Sequence, residues 1–332
     1  MVKSTVHLLG PAKILWDTGT PPRVRSPRTM ALLGYLAAER RAFSRDGLAA
    51  FFWPDELLEQ GKGSLRRELH TLSHLLPGCW QTDRRTIQFW PDESTWVDLY
   101  ELMRLEERAQ WSKAAELVRG DFLEGLYLED NLEFESWLLG EQERMRQRAE
   151  RVLRHAAEEK ATAGDSETAL RYAQRLLRLM PWHEAMHRWA MTLLAQQGLR
   201  SAALRQYHLC KRALQDELGV DVSPETKTLY ERLRTDAPLT PHNIPAATTP
   251  LIGREKELSR LQDWLRSPET RLVTITGVGG LGKTRLALGV AHRYLDQVLH
   301  PFPDGIFFAA LAALIDPSHI VTELATVLNI PR

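Results

Sequence analysis

Leu58-Glu-Gln-Gly-Lys-Gly-Ser-Leu-Arg-Arg-Glu-Leu-His-Thr-Leu-Ser-His-Leu-Leu76 decides how the first hundred residues fold. Leu65, Leu69, Leu72 and Leu76 follow one another at spacings of 4, 3 and 4, the stripe of an amphipathic helix with one buried face. The opposite face carries Arg67, His70, Thr71 and His74, with Lys62, Ser64 and Arg66 at its start and flank. Two shorter helical stretches precede it, about Pro27–Arg40 and Arg45–Trp53. After it, Cys79–Thr82 and Thr86–Trp90 alternate and join across Asp83-Arg84-Arg85, a hairpin with two arginines near its tip. Three helices followed by such a wing make a winged helix-turn-helix, whose last helix can read a major groove while the wing meets phosphates or the minor groove. An Arg there can bind guanine in bidentate fashion. A plain solvated face with an ordinary charged turn is the competing reading, and charge alone favours it.

A chain of 332 residues with 43% apolar content suffices for two or three domains. Lys plus Arg equals Asp plus Glu at 43 each, so total charge points to no partner. Residues 1–97 hold 13 basic and 10 acidic side chains and residues 98–235 hold 21 and 24, a mild asymmetry. Cys79 and Cys210 form no CxxC pair, which argues against a disulfide framework or a zinc site. Pro11 and Lys13 cut the opening apolar stretch too short for a secretory signal, and Ile306–Ile315 falls short of a membrane span. The expectation is a cytoplasmic protein with no membrane contact.

Residues 98–235 read as helix almost throughout and carry a repeat. Gly164 and Gly198 stand 34 residues apart, Ala169-Leu-Arg171 and Ala203-Leu-Arg205 keep that offset, and Pro181 ends the helix between them. Helix–turn–helix units at this period are tetratricopeptide-like, each pair having an apolar face that its neighbour covers. A plain helical bundle is the alternative. Trp137, Trp182, Trp189 and Tyr207 fit either the core or a groove of such an array. His183-Glu-Ala-Met-His187 matches H-E-x-x-H letter for letter, but the repeat already explains a helix start there. A Pro-rich segment, residues 236–250, has linker composition.

Beyond the linker, Gly277-Val278-Gly279-Gly280-Leu281-Gly282-Lys283-Thr284 matches G-x-x-x-x-G-K-[ST]. It falls between a strand expected over Arg271–Thr276 and a helix expected over Thr284–Gln297. The glycines let backbone N–H groups close around phosphates, and the following helix turns its positive end toward them. Lys283 would neutralise β- and γ-phosphate oxygens, Thr284 would ligate Mg²⁺, and Arg285 follows on the same turn. ATP or ADP is the expected ligand. The run Gly305–Ala310 leads to Asp316-Pro317 in a turn, so no Walker-B acid is evident and hydrolysis is not expected.

Short motifs in order resemble the antibiotic regulatory protein family of bacterial transcriptional activators. They are Leu8-Leu-Gly-Pro11, Arg25-Ser-Pro-Arg28, Phe52-Trp-Pro-Asp55, Leu65-Arg-Arg-Glu-Leu69 and Thr82-Asp-Arg-Arg85. Gly120-Asp-Phe-Leu123, Trp137 and Leu218-Gly-Val-Asp-Val-Ser-Pro-Glu225 continue the likeness. The resemblance implies an OmpR-like winged helix over 1–97 and a bacterial transcriptional activator domain over 98–235. Leu251-Ile252-Gly253-Arg254-Glu255 resembles the entry motif of a signal-transduction ATPase module of NB-ARC or AAA type, which lies near the adenine. Residues 251–332 would be the N-terminal part of that module.

The expected fold class is therefore multidomain and mainly α: winged helix with small β-sheets, tetratricopeptide-like α-array, then the start of a P-loop α/β domain. The expected function is a DNA-binding activator modulated by ATP or ADP. Its expected partners are double-stranded promoter DNA, direct repeats in particular, RNA polymerase or another transcription protein, and a second copy of the chain. The rivals are an ATP-binding signalling scaffold, whose winged helix makes protein contacts, and an NTP hydrolase.

Overall fold

The computed structural model describes residues 4–17, 24, 26–235, 241–246, 251, 253–267, 269–295, 302, 304–314, 316–328 and 330. Arg25, Ile252, Gln297 and the linker residues 236–240 and 247–250 lie outside them. The chain divides into two compact units, Met1–Pro181 and Trp182–Arg332. No described helix is long and apolar enough to cross a membrane.

In the first unit, β1 (Ser4–His7) pairs antiparallel with β2 (Lys13–Trp16). Helices α1 (Pro27–Glu39), α2 (Arg45–Phe52) and α3 (Leu58–Leu75) follow, with the short β3 (Phe43–Ser44) ahead of α2. The wing is β4 (Trp80–Thr82) and β5 (Thr86–Phe89), to which β3 also pairs. Periodicity places α3 well. Leu65, Leu69, Leu72 and Leu76 are all buried. Reading along the chain misses β6 (Thr95–Val97), three residues too short to alternate visibly, which pairs parallel with β1.

The winged helix does not end where the helical region begins. Asp98 opens α4 (Asp98–Glu107), is fully buried, and accepts the backbone N–H groups of Leu8 at 2.9 and 3.0 Å and of Leu9 at 3.1 Å. The Arg119 guanidinium also donates to it. The Leu8-Leu-Gly-Pro11 and Gly120-Asp-Phe-Leu123 motifs form one contact: Leu123 N–H donates to the Leu8 carbonyl at 2.8 Å and Gly10 N–H to that of Asp121 at 2.8 Å. Leu123 then seats on α1 at Gly34, where an added Cβ would lie 2.5 Å from its Cδ1. Only glycine permits that approach.

Helix α6 (Leu132–Thr162) carries Phe134 and Trp137 against Tyr35 of α1 and Phe52 of α2, with ring centroids 4.7–5.6 Å apart. Trp137 donates its indole N–H to Glu39 at 2.9 Å. Phe134 and Trp137 thus share one core with the aromatic residues of the winged helix, and Trp137 is not a groove residue.

The repeat has a backbone counterpart. After α6, Gly164 N–H bonds to the Ala161 carbonyl and Asp165 N–H to that of Lys160, before α7 (Ser166–Leu179). In the second unit, between α8 (Glu184–Gln196) and α9 (Arg200–Leu218), Gly198 bonds to Ala195 and Leu199 to Leu194, the same pattern shifted by 34 positions. The turn recurs between α4 and α5 (Trp111–Leu117), where Ala109 bonds to Glu106 and Gln110 to Leu105. Ala109 holds φ +51° where the others have glycine, so sequence did not mark this third unit. In the second unit Tyr207, Cys210, Leu214 and Met191 form a core with Leu233 of α10 (Pro224–Thr235), and Trp189 is buried. His183 caps α8 by accepting from Met186 N–H, Glu184 accepts from Ser223 N–H, and His187 bonds to Gln206. The three side chains of the H-E-x-x-H match each have structural work.

Further on, α11 (Glu255–Arg266) and α12 (Lys283–Leu295) pack through Leu258, Leu261, Val290 and Tyr294, with α13 (Ile320–Val327) later in the chain. The strand expected over 271–276 is corrected. Val273 and Ile275 face the helix pair as alternation demands, but no described residue offers the segment a ladder partner. Among the described residues the run 305–310 makes a parallel bridge, Ile306 to His242, so part of the linker serves as its neighbour. The α/β sheet of a nucleotide-binding domain is not present among the described residues.

Candidate nucleic-acid interface

The exposed side of α3 presents Arg66, Arg67, His70, Thr71 and His74. One expected contact, Ser64, is corrected. Ser64 is 6% exposed; its hydroxyl donates to Glu56 at 3.0 Å and accepts from Arg67 at 3.0 Å, so it orients Arg67 and does not itself face out. The Lys62 ammonium is held by Asp46 at 3.0 Å and Glu59 at 3.1 Å, bonds that raise its pKa and leave its charge locally balanced. Thr71 donates its hydroxyl to the Arg67 carbonyl of its own helix at 3.1 Å. His70 and His74 bond to each other through their Nε2 atoms at 3.2 Å.

The wing turn is fixed by Asp83. Its carboxylate accepts the N–H groups of Arg85 and Thr86 at 2.6 Å each and the Thr86 hydroxyl at 2.8 Å, and these bonds hold its pKa below the ordinary range. Asp83 therefore spends its charge on the turn, leaving Arg84 and Arg85 to project. Arg45 joins them. The β3–β5 pairing sets Ser44 opposite Thr86, and Arg45 N–H donates to the Arg85 carbonyl at 2.8 Å. An open concavity of about 440 Å³ results, lined by Arg45, Lys62, Arg66, Arg84 and Arg85 with Asp46 as its one acid. Cations this concentrated suit a phosphate backbone.

Arg45 is the residue sequence reading missed. A signal existed: Ser44 caps α2 through the Gly47 N–H, and an arginine directly after the cap sits at the positive end of the helix dipole, where a cation is disfavoured without an external anion.

The glycine loop precedes α12. Lys283 donates to the Gly277 and Val278 carbonyls at 2.9 and 3.0 Å, closing the loop on its own ammonium. Gly280 and Gly282 have φ of +82° and +76°, and nothing lies within 4 Å of a Cβ built at Gly279, Gly280 or Gly282. Leu281, Thr284 and Arg285 are exposed. Gly253 precedes α11, and Arg254 pairs with Glu257 at 2.9 Å.

The winged helix thus shares a core with the first helical hairpins. Residues 101–234 match the family model of the bacterial transcriptional activator domain. Regulatory protein AfsR of Streptomyces griseus is 34% identical over 149 residues, and AfsR of Streptomyces coelicolor is 32% identical over 155. Each match covers 40% of this chain and only 15% of the relative's own length. Mycobacterium tuberculosis EmbR, solved in complex with a low affinity phosphopeptide, aligns over 81% of this chain and 73% of its own with a TM-score of 0.50 and 19% identity, a likeness of fold alone. The domain match and the two AfsR matches support a bacterial transcriptional activator domain over residues 101–234.

Proposed function

We propose that the chain is a DNA-binding transcriptional regulator, an activator by family, acting in the cytoplasm on double-stranded promoter DNA with direct repeats. The carrying observation is the concavity in which Arg45, Arg66, Arg84 and Arg85 converge from α2, α3 and the wing. In this reading α3 enters the major groove with Arg66, Arg67, His70 and His74 toward the bases, and Arg45, Arg84 and Arg85 hold the flanking phosphates. The helical hairpins support contact with RNA polymerase or with a second copy. Fluorescence anisotropy on promoter DNA across a salt series tests this; affinity and salt slope that ignore neutralisation of these arginines sink it.

ATP or ADP binding at Gly277–Thr284 is the second element, supported by the loop sequence, the open space over its glycines and the N-terminus of α12. Bound nucleotide would displace Lys283 from its two carbonyls and bias the chain between states if it binds them unequally. Thr284 would hold the accompanying Mg²⁺, and Gly253 and Arg254 would lie on the adenine side, as in NB-ARC and AAA modules. Hydrolysis is not part of the proposal. Lys283→Ala should abolish binding of a fluorescent ATP analogue while leaving DNA binding without nucleotide intact. Equal analogue affinity in the variant would remove this element.

A further inference from the structure

His70 and His74 are one helical turn apart on the exposed side of α3, so their side chains share a face. Their rings meet at 4.4 Å between centroids with planes at 88°, and the two Nε2 atoms are 3.2 Å apart. Two nitrogens bound to one ion at about 2.0–2.1 Å each are separated by about 2.9 Å for a right-angled bite and about 3.4 Å for a tetrahedral one. The observed separation falls between them. The neighbouring polar side chains are engaged elsewhere: Arg67 with Ser64, Thr71 with the Arg67 carbonyl, and Ser73 with the Leu69 carbonyl.

We propose that His70 and His74 form a two-imidazole chelate for a divalent transition-metal ion of the copper–zinc class. Imidazole nitrogen suits these ions, and copper binds such a site more tightly than zinc. In the metal-free pair one Nε2 donates its proton to the other. Coordination needs both Nε2 lone pairs, so the donor's proton moves through solvent to its own Nδ1, and the pair stays neutral while the ion binds. No group of three or more His, Cys, Asp or Glu side chains is gathered among the described residues, so the chelate supplies two ligands and leaves the other positions to water. If α3 reads DNA as proposed above, a phosphate oxygen or a base nitrogen can take one of them. That consequence rests on the DNA reading; the chelate does not.

Titrating the full chain with Cu²⁺, followed by electron paramagnetic resonance and by bound-metal analysis, tests the site. The chain has 11 histidines, so the informative quantity is a difference. The expected result is one equivalent of nitrogen-coordinated Cu²⁺ that disappears in the His70→Gln/His74→Gln double variant. Each single variant should lose it nearly as fully, since one imidazole cannot chelate. Both positions are exposed, so an unchanged melting temperature will show that the variants fold. Equal Cu²⁺ uptake by wild type and double variant overturns the proposal. DNA binding by the metal-free chain is measured alongside. Its failure would sink the DNA reading and leave the chelate standing, whereas a Cu²⁺-dependent change in DNA affinity confined to the wild type supports both.

Discussion

Asp98→Ala is expected to lower the stability of the first unit by about 3–5 kcal/mol, the cost of breaking a buried charge cluster from one side. The alanine would leave the buried N–H groups of Leu8 and Leu9 without their acceptor and the Arg119 guanidinium without its counter-charge. Burial pushes the Asp98 carboxyl above its usual range against the weaker opposing pull of the Leu8 and Leu9 amides and Arg119. In a domain of this size the loss corresponds to roughly 6–20 °C in melting temperature. Thermal unfolding followed by circular dichroism measures it, and a loss under about 1 kcal/mol would contradict the role given to Asp98.

The same cluster predicts an acid sensitivity. His7 lies 3.7 Å from Asp98, and burial, Arg119 and Lys13 bring its pKa down from 6.5 to about 4. The unfolded chain takes up that proton near the ordinary value, while the folded chain refuses it until about pH 4. Stability from this group is therefore complete above pH 6.5 and is lost as pH falls toward 4, by about 3 kcal/mol at most. His7→Gln should flatten that part of the stability–pH profile. An unaltered profile would show that His7 is not its source.

The second large effect concerns DNA. Arg84→Ala with Arg85→Ala is expected to weaken binding by roughly 10–100-fold near physiological salt and to lower the salt slope by about 2, one for each phosphate that is no longer neutralised. Arg45→Ala should lower the slope by about 1, although it lies outside both the α3 face and the wing. Lys62→Ala should do less than any of these, because Asp46 and Glu59 already hold that ammonium. Arg84 and Arg85 are exposed and Arg45 is only half-buried, so stability should move by no more than about 0.5 kcal/mol. A ranking in which Lys62 dominates and Arg45 is silent would place the phosphate path elsewhere.

The amino-acid sequence by itself determined the local elements of this protein. The leucine spacing of α3, the hairpin around Asp83-Arg84-Arg85, the turns at Gly164 and Gly198 and the glycine loop before α12 each depend on residues a few positions apart, and helical or alternating period reports such patterns directly. Tertiary structure decided what those elements hold together. Asp98 serves amides 90 residues earlier, Leu123 needs Gly34, and Arg45 reaches the wing through a two-residue strand. Tertiary structure also turned Ser64 inward, tied Lys62 to Asp46, and left 271–276 without a strand partner among the described residues. Periodicity says which face of an element is buried; which distant residue meets that face depends on how the chain closes on itself, and no local pattern encodes it.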